Sequence, residues 1–255
     1  SSAAQSAATS PSLAARYHLS GHEDVIEDVC WQPGSAEQLA SVGDDQKLLL
    51  WDLRTNKPSH VVNKAHGATD LHCVDWCALD SNMLATACAK GWLKVWDTRK
   101  MQVGNENSAV KTLRAHQQAI MRTEWCPHRK DIIATGSEDK LLAVWNISND
   151  EEAPMEVDGE DGATVEPLDS SVPPELIFQH AGHRSPVVDF QWNPHDPWSI
   201  VSVSDDVSSG MAGGTMQIWR MNDLIYRDRD EVISELDAHR DFILHGNNAP
   251  PSKVG

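Results

Sequence analysis

The chain has 255 residues and a formal net charge of −17. Proteins that bind DNA or RNA directly need clustered Lys and Arg to neutralise phosphates, so this charge argues against a nucleic acid ligand and favours a basic partner. The sequence contains no apolar stretch long enough to span a bilayer. Its five cysteines lie mostly within predicted strands, which favours buried free thiols in a reducing compartment.

A pattern of four residues recurs along the chain. In its first copy, Ser41 stands four residues before Asp45, Asp45 stands six residues before Trp51, and His22 lies upstream. Buried polar side chains must satisfy one another, so each copy predicts a hydrogen-bonded clamp. The other copies comprise His116, Thr135, Asp139 and Trp145; His183, Ser202, Asp206 and Trp219; and, without an aspartate, His66, Thr86 and Trp96. Four copies of one pattern predict a repeat protein.

The first repeat, 16–64, follows a Ser/Ala-rich tail at 1–15 that we expect to be disordered. Its opening residues, 16–20, are predicted to form the outer strand of a preceding repeat. Alternation of apolar and polar residues then predicts four strands. These strands cover 25–31, 38–42, 47–51 and 59–64.

The second repeat, 65–115, departs from the pattern at one position. Lys90 occupies the aspartate position and cannot accept a hydrogen bond from the histidine, so we expect this repeat to be locally weaker. Its predicted strands cover 71–76, 83–88, 92–97 and 110–114.

The third and fourth repeats, 116–182 and 183–240, carry insertions. An acidic segment at 149–172, with no Lys or Arg, is predicted to be a disordered loop. The fourth repeat contains a predicted flexible hairpin tip and, after its last strand, a predicted short helix. The predicted strands of the third repeat cover 121–125, 132–136, 141–145 and 173–178. Those of the fourth repeat cover 187–192, 198–203 and 215–219. The predicted hairpin tip covers 208–214, the predicted helix covers 223–226 and 230–239, and a polar tail covers 241–255.

The four clamp residues and their spacing resemble the repeats of WD40 proteins. The resemblance implies an all-β fold, the WD40 β-propeller, in which each blade is a four-stranded sheet. Four blades are visible, whereas the family usually closes with seven, so we expect the chain to be the C-terminal part of a longer protein. A closed four-bladed propeller is the alternative.

Longer motifs narrow the resemblance to the retinoblastoma-binding, histone-binding WD40 proteins, and within them to the plant-type MSI/FVE branch. The resemblance covers about residues 16–240 and lacks the family's N-terminal helix and first three blades. It is carried by Gly21-His-Glu-Asp-Val-Ile-Glu-Asp-Val29, Asp70-Leu-His-Cys-Val-Asp-Trp76, Pro173-Pro-Glu-Leu-Ile-Phe-Gln-His-Ala-Gly-His183, Asn193-Pro-His-Asp-Pro-Trp198 and Ile218-Trp-Arg-Met-Asn-Asp-Leu-Ile-Tyr226.

This resemblance implies a non-catalytic nuclear scaffold that grips histones for deacetylase, Polycomb or chromatin-assembly complexes. A side groove beside the Pro-Pro loop takes a histone H4 helix, with apolar anchors in the groove and basic residues against an acidic flap. Ordinary packing between blades is the alternative explanation for Ile177 and Phe178. The matching groove positions are Leu176, Ile177, Phe178, Ile225, Glu166 and Asp169.

A second family surface is the wide face of the propeller, where a histone H3 tail enters. Glu27 and Asp205 retain acids that can pair with a basic tail. Met121 replaces an aromatic residue that is common in the family, and Ala119 replaces a nearby acid. The full predicted set is Glu27, His72, Met121, Val188 and Asp205.

Two Trp-Asp-x-Arg endings, at Arg54 and Arg99, resemble motifs that dock WD40 proteins on cullin-RING ligase adaptors. A ligase substrate receptor is therefore one alternative function, and a propeller scaffold for non-histone partners is another. The sequence carries no nucleophile elbow, phosphate-binding glycine loop or metal-binding helix, and Cys73 and Cys77 have no second pair to complete a zinc site. We therefore predict no enzymatic activity, cofactor or metal; transfer of acyl or phosphoryl groups by the purified protein would identify an enzyme instead.

Overall fold

The computed structural model describes residues 13–101, 108–148, 173–205, 214–221 and 233–234. Within these residues, fifteen strands form four antiparallel sheets. In chain order the strands are β1 (Ile26–Trp31), β2 (Gln38–Gly43), β3 (Leu48–Asp52), β4 (Lys57–Val62), β5 (Leu71–Trp76), β6 (Met83–Cys88), β7 (Trp92–Asp97), β8 (Ala109–Arg114), β9 (Ile120–Trp125), β10 (Ile132–Ser137), β11 (Leu142–Asn146), β12 (Leu176–His180), β13 (Val187–Trp192), β14 (Ser199–Ser204) and β15 (Thr215–Arg220).

The chain divides into two compact units, Ser1–Trp125 and Cys126–Gly255. In the first unit, β1 to β4 form one sheet and β5 to β8 form the next, each strand pairing with its neighbour in sequence. Successive sheets meet through their first strands, because β1 lies against β5 and β5 against β9. The first strand of each sheet is called its inner strand below, and the fourth its outer strand.

The core of the first unit lies between its two sheets. Leu48, Leu84 and Trp96 are fully buried there, in one cluster with Ala40 and Val42. Burying a leucine side chain stabilises a fold by roughly 1.5–3 kcal/mol. The middle strands are buried along nearly their whole length, since neighbours cover both faces.

Two carboxylates tie the inner strands of the first unit together. The backbone amide of Val74 donates to Oδ2 of Asp28 at 2.9 Å, and the amide of Trp125 donates to Oδ2 of Asp75 at 2.7 Å. Burial raises the pKa of Asp75 to about 6, although the Trp125 and Trp76 amides act in the opposite direction. Each bond therefore joins the inner strand of one sheet to that of the next.

In the second unit, β10, β11 and β12 pair in sequence order, and β13, β14 and β15 form a separate sheet. The strands β10 and β13 face each other across a core that includes Phe190 and Trp192. Gly136 is needed at this contact, because an added Cβ would lie 2.9 Å from Cγ1 of Val187 and 3.1 Å from the Phe190 ring. The close approach of β10 to β13 therefore depends on a residue without a side chain.

The predicted all-β fold is confirmed, and the observed strands agree with the predicted ones within a few residues at each end. The prediction of a strand at 16–20 was wrong, since these residues form no strand and no described strand lies beside them to pair with. The last strand of the third repeat begins at Leu176, because Pro173 and Pro174 lack the amide hydrogen that a ladder needs. All five cysteines are free thiols.

Other predictions concern residues that the structure does not describe. Three of these predictions fall wholly or mostly outside the described residues. They concern the tail at 1–15, of which 1–12 are not described, the acidic segment at 149–172, and the hairpin tip apart from Gly214. Of the predicted helix at 223–226 and 230–239, only Ile233 and Ser234 are described, and both are helical. Among the described residues, no helix is long and apolar enough to cross a membrane.

Candidate peptide-binding site

The first clamp joins four side chains of the first repeat. The indole of Trp51 donates to Oγ of Ser41 at 2.7 Å, and Ser41 lies 2.7 Å from Nε2 of His22. On the other side of the ring, Nδ1 of His22 lies 2.9 Å from Asp45. A carboxylate can only accept here, so Nδ1 carries the hydrogen and Nε2 accepts from the serine hydroxyl.

Asp45 is nearly buried in this clamp, with 3% of its side chain exposed. Burial acts against its ionisation, but the Glu23 amide, the His22 ring and the Lys47 amide donate to it and hold the pKa of Asp45 below its ordinary value. The carboxylate therefore fixes both the histidine tautomer and the turn between β2 and β3.

The second clamp is incomplete. Trp96 and His66 both contact Oγ1 of Thr86, at 2.8 and 2.7 Å, as in the first clamp. However, Nδ1 of His66 is buried and has no hydrogen-bond partner among the described residues, while Lys90 donates to the Ala68 carbonyl instead. Burial, with a smaller effect of the nearby Lys94 charge, lowers the pKa of His66 to about 3. The histidine is therefore neutral, with one ring nitrogen unsatisfied.

The third clamp lies within the described residues, whereas the fourth does so only in part. In the third repeat, Trp145 donates to Thr135 at 2.9 Å. His116 is buried, and Asp139 accepts from the Leu141 amide. His116 belongs to the first compact unit, and the other three residues belong to the second.

In the fourth repeat, Trp219 and His183 both contact Ser202, at 3.1 and 2.7 Å. Asp206 lies outside the described residues, and Oγ1 of Thr215 lies 3.4 Å from Nδ1 of His183. Sequence reasoning did not assign Thr215 to the clamp. Its position at the start of β15, directly after the predicted hairpin tip, is the only signal that could have found it.

Four of the candidate wide-face positions occupy the same place on their strands, and three of them lie on a β-bulge. Glu27, His72 and Met121 are the second residues of the neighbouring inner strands β1, β5 and β9, and Val188 is the second residue of β13. The register shifts at this residue in β1, β5 and β13, so Glu27, His72 and Val188 each stand unpaired in their ladders. Bulges re-aim side chains, and they are common beside functional sites.

The acidic members of this set are accessible. Glu27 is exposed, as is Asp205, which directly follows β14, whereas His72 and Met121 are half-buried. Nδ1 of His72 is buried and has no hydrogen-bond partner among the described residues. The start of β1 and the end of β14 therefore each present a carboxylate to solvent.

The candidate groove is described only in part. Leu176, Ile177 and Phe178 lie in β12 and are half-buried, whereas Ile225, Glu166 and Asp169 lie outside the described residues. The Phe178 ring lies 5.6 Å from the ring of Trp219, and both join the core of the second unit. Packing between sheets is therefore sufficient to explain Phe178.

Ile177 is also accounted for by the fold. It is the bulged residue of β12, since Val144 pairs with Phe178 while Trp145 pairs with Leu176. The outer strands β4 and β8 carry the same irregularity, at Ser59 and Val110. The three described groove residues thus lie together on β12. This strand has the same bulge as the outer strands β4 and β8, so its geometry does not set it apart from them.

Comparison with known proteins gives the family. Residues 14–52, 107–146 and 174–220 match the family model of the WD domain, G-beta repeat. WD-40 repeat-containing protein MSI4 of Arabidopsis thaliana is 42% identical over 236 residues, which are 92% of this chain and 44% of that protein. WD-40 repeat-containing protein MSI3 of the same plant is 33% identical over 227 residues, which are 89% of this chain and 48% of that protein. The chain belongs to the MSI-type WD40 family. It spans about half the length of these curated relatives.

The family resemblance drawn from the motifs is thereby confirmed. The segments that match the WD40 model leave out residues 53–106. This interval contains Lys90 and the incomplete clamp. The repeat that departs from the WD40 pattern in sequence thus also leaves Nδ1 of its histidine without a hydrogen-bond partner among the described residues.

The two Trp-Asp-x-Arg arginines of this WD40 chain are held by their own aspartates. Arg54 binds both carboxylate oxygens of Asp52, and Arg99 binds both oxygens of Asp97. Each arginine side chain is 62% exposed, and Arg54 also lies 3.2 Å from Glu37. These pairs stabilise the turns after β3 and β7, so the geometry is explained without an adaptor, and docking remains a prediction.

Within the described residues, no group of three or more His, Cys, Asp or Glu side chains is arranged to hold a metal ion. Burial raises the pKa of the Cys73, Cys77 and Cys126 thiols, and of Cys30, above their ordinary value. Buried thiols with raised pKa values are poor nucleophiles at neutral pH.

Proposed function

We propose that this protein is a non-catalytic WD40 scaffold that binds histones for chromatin-modifying or chromatin-assembly complexes in the nucleus. The observation that carries the proposal is the alignment of Glu27, His72 and Met121 at one position of three neighbouring inner strands, two of them on bulges, in an MSI-type chain. Repetition of one position in consecutive sheets offers an extended peptide a row of contacts.

The charge of the chain supports a basic peptide as the ligand. The net charge is −17, and Glu27 and Asp205 are exposed at strand ends. Charge-assisted hydrogen bonds from Lys or Arg to such carboxylates are stronger than neutral ones, and an acidic surface speeds the approach of a cationic segment. A histone H3 tail has this chemistry.

Fluorescence anisotropy with a labelled H3 tail peptide and the intact protein tests this site. Glu27→Gln and Asp205→Asn are introduced separately and together. We expect the double variant to lose roughly tenfold or more in affinity, which corresponds to about 1.4 kcal/mol. Glu37→Gln is the control, because it removes an exposed acid from the opposite end of the first sheet. Unaltered affinity of the double variant would exclude Glu27 and Asp205 as a binding site for the H3 tail.

The proposed H4 site is tested separately with an H4 helix peptide. The predicted acidic flap supplies Glu166 and Asp169. Glu166→Gln with Asp169→Asn should weaken binding and flatten its salt dependence, because contacts between exposed charges are screened by salt. Phe178 is a poor probe, since its packing against Trp219 would be lost as well. Binding with unchanged affinity and salt dependence would exclude the acidic flap as part of the site.

A scaffold role needs no catalysis, and WD40 proteins generally serve as scaffolds. The other partners we propose are deacetylase, Polycomb and chromatin-assembly subunits. A role as a cullin-RING substrate receptor is the alternative; capture of the ligase adaptor that survives Arg54→Ala with Arg99→Ala would count against docking through this motif.

A further inference from the structure

A cavity of about 230 Å³ lies between the two sheets of the first unit, at the end opposite Glu27. It sits where β1 and β5 end and where the turns after β3 and β7 begin. The described residues that line it are Gln32, Gln38, Leu50, Trp51, Ser59, His60, Trp76, Thr98 and Arg99. The histone proposal does not use this cavity, and Trp51 is the one described lining residue that also belongs to a clamp.

Hydrogen bonds within and between the two sheets hold the wall of the cavity. The Ser81 carbonyl accepts from Nε2 of Gln32 at 2.8 Å and from the indole of Trp76 at 2.7 Å. Ser59, the bulged residue of β4, donates to the Leu50 carbonyl at 3.1 Å. The Gln32 bond joins the first sheet to the second beside the cavity, and the other two bonds fix Trp76 and Ser59 within their own sheets.

The described lining is rich in donors and includes no Asp or Glu, although the Asp97 carboxylate lies directly behind Arg99. Asp97 takes Nε and Nη2 of Arg99 and so fixes the guanidinium, while no described hydrogen bond uses Nη1. The side-chain amide of Gln38 and Nε2 of His60 likewise have no described partner. A preorganised guanidinium edge beside an amide and an imidazole is suited to binding an anion.

The volume of the cavity limits the size of the anion that it can hold. Ligand pockets for drug-sized molecules are about 300–1,000 Å³, so this smaller cavity fits a group the size of one amino-acid side chain. The edges of Trp51 and Trp76 give it apolar walls that suit a short methylene chain. We propose that the cavity binds a carboxylate on a short aliphatic stem, either a free small acid or a Glu or Asp side chain of a protein partner.

This ligand has the opposite charge to a histone tail, so the cavity would serve a different partner from the strand ends that include Glu27. The two surfaces lie at opposite ends of β1, and a protein that binds both could hold a basic and an acidic partner at once. Failure of the proposed histone function would therefore leave the proposed anion site unaffected.

Titration of the intact protein followed by NMR tests the proposal. The probes are blocked glutamate, blocked glutamine as its neutral isostere, and a glycine-flanked peptide that contains one glutamate. We expect saturable shifts of the Trp51 and Trp76 indole N–H signals with a Kd of about 1 mM or tighter for blocked glutamate, and at least tenfold weaker binding of blocked glutamine. A peptide that binds more tightly than the blocked residue identifies a protein partner, and equal affinities identify a free acid.

The chain offers a matched pair of variants. Arg54 and Arg99 occupy the same motif with equal exposure, but only Arg99 lines the cavity. Arg99→Gln should weaken binding of blocked glutamate at least tenfold, and Arg54→Gln should leave it unchanged. Gln38→Leu, which keeps the Asp97–Arg99 pair, should also weaken it and covers the case in which Arg99→Gln unfolds. Equal binding of glutamine, equal effects of the two arginine variants, or no saturable shift would overturn the proposal.

Discussion

At the scale of single residues, two histidines in equivalent positions differ because of one residue four positions after the clamp hydroxyl. His22 has Asp45 on its Nδ1, whereas Nδ1 of His66 has no partner in the described part of the chain, because Lys90 replaces the aspartate. A buried polar atom without a partner costs about 1–3 kcal/mol. The fold tolerates this loss because Thr86 and Trp96 keep the rest of the clamp intact.

Lys90→Asp should stabilise the protein, because the new carboxylate can accept from Nδ1 of His66. We expect a gain of about 1 kcal/mol in the free energy of unfolding, or several degrees in Tm. Differential scanning calorimetry measures it. The reciprocal change Asp45→Lys is the control and should lower Tm, since it removes the acceptor from the first clamp. An unchanged or lower Tm for Lys90→Asp would reject this account of the second repeat.

At the scale of elements, the inner strands are linked by carboxylates as well as by apolar packing. Asp75 accepts from the Trp125 amide, yet its burial raises its pKa to about 6. A group whose pKa is higher in the folded state stabilises the fold fully below its unfolded pKa, near 3.8, and loses this contribution as the pH rises through 6. Ionisation of Asp75 therefore lowers the free energy of unfolding at neutral and alkaline pH, even though the carboxylate still links β5 to β9.

Asp75→Asn should remove this pH dependence, since the amide oxygen can still accept from Trp125 without taking up charge. We expect the variant to be about 1–3 kcal/mol more stable than the parent at pH 8, with little difference at pH 4. Urea denaturation at both pH values measures the two differences. Asp75→Ala is the control and should destabilise at both, because it leaves the Trp125 amide without its acceptor. Lower stability of Asp75→Asn at pH 8 would contradict the argument.

At the scale of the whole molecule, each unit leaves one sheet with apolar side chains in solvent. Val29 and Trp31 on β1 are 57% and 56% exposed, and Met216 and Ile218 on β15 are 69% and 77% exposed. Register places Trp31 opposite Leu39 and Ile218 opposite Val201, so both pairs extend apolar sheet faces. Apolar faces of this kind promote association.

The chain on its own should therefore self-associate through these faces. Trp31→Gln with Ile218→Gln should shift the sedimentation coefficient towards that of the monomer at equal protein concentration, because it removes apolar area from both faces. Leu79→Gln is the matched control, since Leu79 is 53% exposed but lies in a turn rather than on a sheet face. A parent chain that sediments as a monomer would contradict this expectation.

The sequence by itself determined the repeat, the strands and the family, because the clamp spacing and the alternation of apolar residues are local patterns that one fold satisfies. Only the tertiary structure decided which residues stand at bulges, that Phe178 packs against Trp219, and that His66 keeps an unsatisfied nitrogen. The same holds for the cavity beside Arg99, because Arg54 has the same Trp-Asp-x-Arg motif but does not line it. These properties depend on how one sheet meets the next, and contacts between residues far apart in the chain leave no periodic trace in the sequence.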